Sequence, residues 1–304
     1  MLGVSEFLGI DPNPTNVINP ALKRIINTCT MSNRNTNSVV TDLTISFSPR
    51  VNPPSTSTLN PRRWHCVRKD LYLHTAEQSA WLHVAQATDE ELTPDHLVVT
   101  DIGIGQPPTV YSDNSWESRP AGIWIQRNKY NASNPQLVTS IDVLFGVDAV
   151  DPRPQWHLLR EPLQLKDTPS KTPIARLTVK RNGPDPEGGR PILKAHHDGS
   201  FKIVQLSDTH MVTGVGLCKD ALGADGQPLP ESVADPLSVK FIEHILDIEK
   251  PDLVVLTGDQ LHHDILDSQT ALFKVVAPII ERSVPWAAVF GNHDSEGDYA
   301  LSRK

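Results

Sequence analysis

Several things are scarce in this sequence, and each scarcity removes a class of protein. Cysteine occurs three times in 304 residues, at Cys29, Cys66 and Cys218. That wide spacing makes neither a disulfide framework nor a zinc-site pattern. No run of about 18 apolar residues occurs, so no membrane span is expected. The opening Met1-Leu2-Gly3-Val4-Ser5-Glu6-Phe7-Leu8 lacks a basic stretch and a long apolar stretch, so it does not read as a signal peptide. Basic charge is short too: 28 Lys and Arg face 36 Asp and Glu, a net charge of -8. No nucleic-acid footprint follows. These absences favour a cytoplasmic protein without a nucleic-acid partner. They leave its oligomeric state open.

What is present is organised in blocks. Residues 1–60 are rich in Asn, Thr, Ser and Pro and read as a loosely ordered arm. Residues 61–182 alternate short β-type runs with turn signals, the runs falling at 80–85, 97–104, 122–126, 138–145 and 174–179. No helix-period stretch interrupts them, which predicts a β-rich accessory domain. A Gly/Pro-dense linker covers 183–199.

From about 200 the pattern becomes β-α-β-α-β. Asp235 is placed as a helix cap, with Pro236 at the first helical position. Leu237, Phe241, Ile245 and Ile248 then make one apolar stripe, and Lys250-Pro251 ends the helix. A second helix is predicted over 268–282, with Leu272, Val275, Val276, Ile279 and Ile280 inward and Pro278 inside it.

Three apolar runs in this last block each end in a polar cluster. Ser207-Asp208-Thr209-His210 follows residues 201–206. Thr257-Gly258-Asp259-Gln260 follows 253–256, and Gly291-Asn292-His293-Asp294 follows 286–290. Apolar runs of this length read as central parallel strands, and ligands of such sheets gather past the strands' carboxyl ends. Asp208 and His210, two apart at a strand end, can face one ion. Asp259 can bridge two ions, Asn292 offers an amide oxygen, and His293 can donate a proton to a leaving oxygen. Carboxylate, imidazole and amide donors together suit a pair of divalent metals.

Asp-x-His, Gly-Asp and Gly-Asn-His-Asp in this order resemble the calcineurin-like metallophosphoesterases. The nearest likeness is to fungal phosphatases of the dose-dependent cell-cycle-regulator type, and residues 141–154 also resemble their N-terminal region. The resemblance implies an α/β fold in which 200–304 is the front half of a phosphoesterase domain. It implies that Asp208 and His210 hold the first metal, Asp259 bridges, and Asn292 holds the second. His293 would be the catalytic histidine and Asp294 would orient it. A hydroxide bridging two metals (Mn, Fe or Zn) would hydrolyse phosphomonoesters, phosphoproteins among them.

Three departures narrow this. His262 stands where purple acid phosphatases carry a Tyr, and His262-His263-Asp264 replaces the Asp-Arg-Gly run of the serine/threonine phosphatases. His262 and His263 read as a solvated loop. The family also adds a further His and a Gly-His-x-His run downstream, but no His follows His293 here. The chain therefore reads as truncated after Gly-Asn-His-Asp and as weak or inactive by itself. The alternative is a binding module that keeps a partial metal site.

Overall fold

The computed structural model describes residues 38–48, 59, 62–73, 79–106, 116–166, 172–183 and 193–295. They fall into two compact units, one within Arg34–Gly188 and one within Gly189–Lys304.

The first unit is built of strands: β1 (Ser38–Ser48), β2 (Trp64–Asp70), β3 (Ser79–Thr88), β4 (Leu97–Ile104), β5 (Trp116–Arg119), β6 (Ile123–Lys129), β7 (Val138–Phe145), β8 (Trp156–Leu158) and β9 (Ala175–Arg181). They form three antiparallel sheets of identical plan, ordered β1-β3-β2, β4-β6-β5 and β7-β9-β8. The leading strand of each carries a bulge at the same place, skipping Thr41, Thr100 and Thr139. A bulge bends its strand and sharpens the twist, which lets three short sheets wrap one core. The leading strands pack on one another. Val39, Val98 and Leu137, two residues before each bulged Thr, share one buried cluster with Ala87 and Leu92. Cys66 lies in this unit, and burial pushes its thiol up to about 11, Arg68 opposing weakly. That thiol is no ready nucleophile.

The threefold plan also corrects the arm expected over 1–60. Ser38–Ser48 is an eleven-residue strand whose Val39, Val40, Leu43 and Ile45 are buried. Its polar Thr and Ser alternate with those apolar residues, so the stretch looks polar by composition while remaining a sound half-buried strand. The remaining arm residues apart from Leu59 lie outside the described ones, as does most of the expected 183–199 linker.

The second unit is β10 (Ile203–Leu206), α1 (Asp235–Glu249), β11 (Leu253–Leu256), α2 (Ser268–Glu281) and β12 (Trp286–Ala288), followed by a 3-10 turn at His293–Ser295. The strands are parallel in the order β10-β11-β12, with Leu206 opposite Leu256 and Leu256 opposite Ala288. This is the expected α/β sheet preceded by a β-rich unit. Helix α2 is buried along nearly its whole length, its polar Gln269, Thr270 and Lys274 included. Asp267 caps it, accepting from the Thr270 N–H at 2.9 Å. Leu272, Val275, Val276 and Ile279 are buried as expected, and Ile280 is half-buried. No helix among the described residues is long and apolar enough to cross a membrane.

Two expectations for α1 fail. Its buried apolar residues are Ile242 and Leu246, whereas Leu237, Phe241 and Ile248 are 50%, 65% and 61% exposed. Two apolar stripes run side by side on this helix, and periodicity alone cannot say which meets the sheet. Asp235 does not serve as the cap either. It is 3% exposed, its carboxylate pairs with the Lys274 ammonium of α2, and it accepts from the Val212 N–H at 2.9 Å. Lys274, 2% exposed, also donates to the Gly214 carbonyl at 2.7 Å. The pair therefore ties both helices to the loop that leaves β10. Removing one partner of a buried pair strands the other charge, at a cost of about 3–5 kcal/mol. Lys274→Met should lower unfolding stability by about that amount in a urea titration. Lys274→Met with Asp235→Leu should recover part of it.

Candidate metal centre

The three polar clusters meet at the carboxyl ends of β10, β11 and β12. Past Leu206 and Leu256 the strand geometry stops but the pairing continues. The Asp208 N–H donates to the Gly258 carbonyl at 3.1 Å, the His210 N–H to Asp259 at 3.1 Å, and the Met211 N–H to Gln260 at 2.9 Å. Asp208, His210 and Asp259 all adopt left-handed backbone, at φ 56°, 46° and 51°. Each such residue costs roughly 1–3 kcal/mol and persists only where its surroundings dictate it. Asp208 and His210 thus come together through these turns and not through strand alternation. A donor atom from each of Asp208, His210 and Asp259 lies within 4.8 Å of the others. Two carboxylates and one imidazole at that spacing form a set on which a divalent cation can close. The Ser207 hydroxyl donates to the Asp208 carboxylate.

The third cluster joins through the backbone. The His293 N–H donates to Asp259 Oδ1 at 2.9 Å, and the His293 and His210 ring centres are 5.3 Å apart. Asn292 lies in the same turn and is exposed. Asp294, buried, spends its carboxylate on backbone N–H groups: Asp259 at 2.8 Å, Leu261 at 2.9 Å and Gly291 at 2.7 Å. Its visible work is to hold the Asp259 turn against the Gly291 turn, a broader task than orienting one imidazole.

His262 and His263, expected in a solvated loop, are both brought to the site by the fold. The ring centres of His210 and His262 are 6.0 Å apart, those of His262 and His263 4.1 Å, and those of His263 and His293 5.4 Å. Burial, then the neighbouring His263 and His210, pull the His262 imidazole below its usual range, with Asp264 opposing. A neutral imidazole keeps a lone pair available. The signal in the sequence is the position three residues after Asp259. The pairing of Met211 with Leu261, which aligns the two loops, cannot be read there.

These observations agree with what the chain is similar to. Residues 201–304 match the calcineurin-like phosphoesterase family. This segment belongs to that family. Phosphatase DCR2 of Saccharomyces cerevisiae is 44% identical over 164 residues, covering 53% of this chain and 27% of that protein. An uncharacterized protein of Schizosaccharomyces pombe is 30% identical over 269 residues, covering 85% and 48%. The probable inactive purple acid phosphatase 28 of Arabidopsis thaliana is 36% identical over 106 residues, covering 34% and 26%. The chain thus spans between a quarter and a half of the length of these relatives.

Close approach makes two glycines of this phosphoesterase segment irreplaceable. A Cβ on Gly291 would overlap Asp259 Oδ1, and one on Gly258 would lie 2.6 Å from the Gly291 nitrogen. Gly291→Ala should therefore cost more than about 2 kcal/mol of unfolding free energy. It should also weaken cation binding on the order of tenfold in a calorimetric titration. Gly183→Ala, where a Cβ meets nothing within 4 Å, should change neither.

Proposed function

We propose that residues 201–304 carry a metal-dependent phosphoesterase centre acting on phosphomonoesters, with phosphorylated protein side chains as the substrate class. The observation that carries this reading is the Asp208, His210 and Asp259 donor set within 4.8 Å, with His293 held on the Asp259 carboxylate by its own N–H. Calcineurin-like phosphoesterases use divalent metals, and these donors fit manganese, iron or zinc. Asp208 and His210 would hold one cation, Asp259 would be shared with a second, and Asn292 would offer its amide oxygen to that second cation. When bound, such cations neutralise phosphate charge and lower the pKa of water. His293, next to Asn292 in the same turn, protonates the leaving oxygen, a role generally worth about 10²–10⁴-fold in rate. Asp294 keeps the turns in register for both tasks.

The second cation has only Asp259 and Asn292 as assigned ligands, so turnover by the 304-residue chain is slow. A second reading is a metal-binding module without turnover. The relatives named as probable inactive purple acid phosphatases favour it.

The test is hydrolysis of p-nitrophenyl phosphate by the purified chain with added manganese. The enzyme reading expects slow turnover that a chelator abolishes and His293→Gln lowers by about 10²-fold or more. Turnover that ignores both would refute it. Metal binding without any turnover would establish the binding module.

A further inference from the structure

We propose that His262 is a fourth protein ligand of the cation held by Asp208, His210 and Asp259, giving that centre two imidazoles and two carboxylates. This rests on the reading above that those three residues bind a metal, and it adds a residue and a selectivity.

Backbone pairing sets the geometry. Met211 and Leu261 form a parallel bridge, and the His262 N–H donates to the Met211 carbonyl at 3.0 Å. Met211 is 0% exposed and Leu261 3%, so this pair points into the core. His210 directly precedes Met211 and His262 directly follows Leu261, so the bridge and the hydrogen bond set the two histidines on adjoining loops. Their ring centres stand 6.0 Å apart with planes at 71°. Two imidazoles bound to one ion at about 2.1 Å each bring their ring centres to roughly 4.5–6.5 Å, depending on the angle at the metal. The observed separation lies in that range.

The donor atoms within 4.8 Å of one another are those of Asp208, His210 and Asp259, so the His262 side chain must turn to complete the shell. His262 is half-buried, whereas His263 is exposed and stacked 4.1 Å from it. Nδ1 of His262 accepts a long 3.3 Å contact from the Asp264 N–H. Coordination through Nε2 places the ring proton on Nδ1, so that contact is given up for the metal bond. A set of two nitrogens and two carboxylate oxygens suits zinc, cobalt(II) or iron(II) and gives magnesium little advantage. The protein would therefore discriminate among divalent cations at this residue.

The experiment titrates cobalt(II) chloride into the purified 304-residue chain, following the visible absorption of the bound ion and its affinity. Wild type, His210→Ala, His262→Ala and His263→Ala are compared, with circular dichroism confirming that each is folded. His210→Ala should lose binding almost completely. His262→Ala should bind at least about tenfold more weakly, with a shifted cobalt spectrum, and His263→Ala should stay within about threefold of wild type. Magnesium affinity should change by less than about threefold in His262→Ala. Wild-type affinity and spectrum in His262→Ala, with binding lost in His210→Ala, would overturn this assignment alone. So would an equal loss in His263→Ala. A wild type that binds no cobalt would overturn the underlying metal reading as well.

Discussion

One carboxylate organises the candidate site. Asp294 accepts from the backbone N–H groups of Asp259, Leu261 and Gly291. Two come from the turn after β11 and one from the turn after β12, so a single side chain fixes the distance between two strand ends. Asp259 answers by accepting from the His293 N–H with its own carboxylate. The two aspartates thus lock the turns in both directions. Hydrogen bonds to a charged acceptor are about twice as strong as neutral ones, which suits a lock that must oppose strain.

Strain is what the lock opposes. Three potential ligands sit in left-handed backbone that their side chains disfavour, and Gly258 and Gly291 press together where no Cβ fits. Such geometry persists because the layers beneath are firm. Helix α2 is buried along its length, and the Lys274–Asp235 pair clamps the loop that carries His210 onward. Thr213 adds to the clamp, since its hydroxyl accepts from the Asp267 N–H at 2.8 Å, next to the start of α2. Folding free energy is thereby spent on pre-positioned donors, which reduces the ordering cost of binding an ion.

Much of this is legible in the sequence. Each polar cluster follows an apolar strand, and parallel strands deliver their carboxyl ends to one edge, so the pattern alone groups Asp208, His210, Asp259 and His293. The boundaries of β4 and β7 are also readable, because β-branched runs bounded by turn residues leave little choice. Other features depend on three-dimensional context. Helix α1 carries two apolar stripes, and which one is covered is decided by the sheet. The three repeated bulges share only short runs, Val39-Val40-Thr41-Asp42, Val98-Val99-Thr100-Asp101 and Leu137-Val138-Thr139-Ser140, too brief to stand out without the matching sheets. His262 and His263 resemble ordinary solvated loop residues because the loop pairing that brings the one beside His210 and the other beside His293 is not local.

Asp294 as organiser is the claim on which the metal site depends. Its most direct test is Asp294→Asn, which keeps the shape but removes the charge and one acceptor oxygen. Calorimetric titration of manganese or cobalt(II) into wild type and variant reads the effect. Affinity should fall on the order of tenfold or more, while the stability of the strand-rich unit is unchanged. Unaltered affinity in a folded Asp294→Asn protein would contradict the claim that this carboxylate holds the metal donors in place.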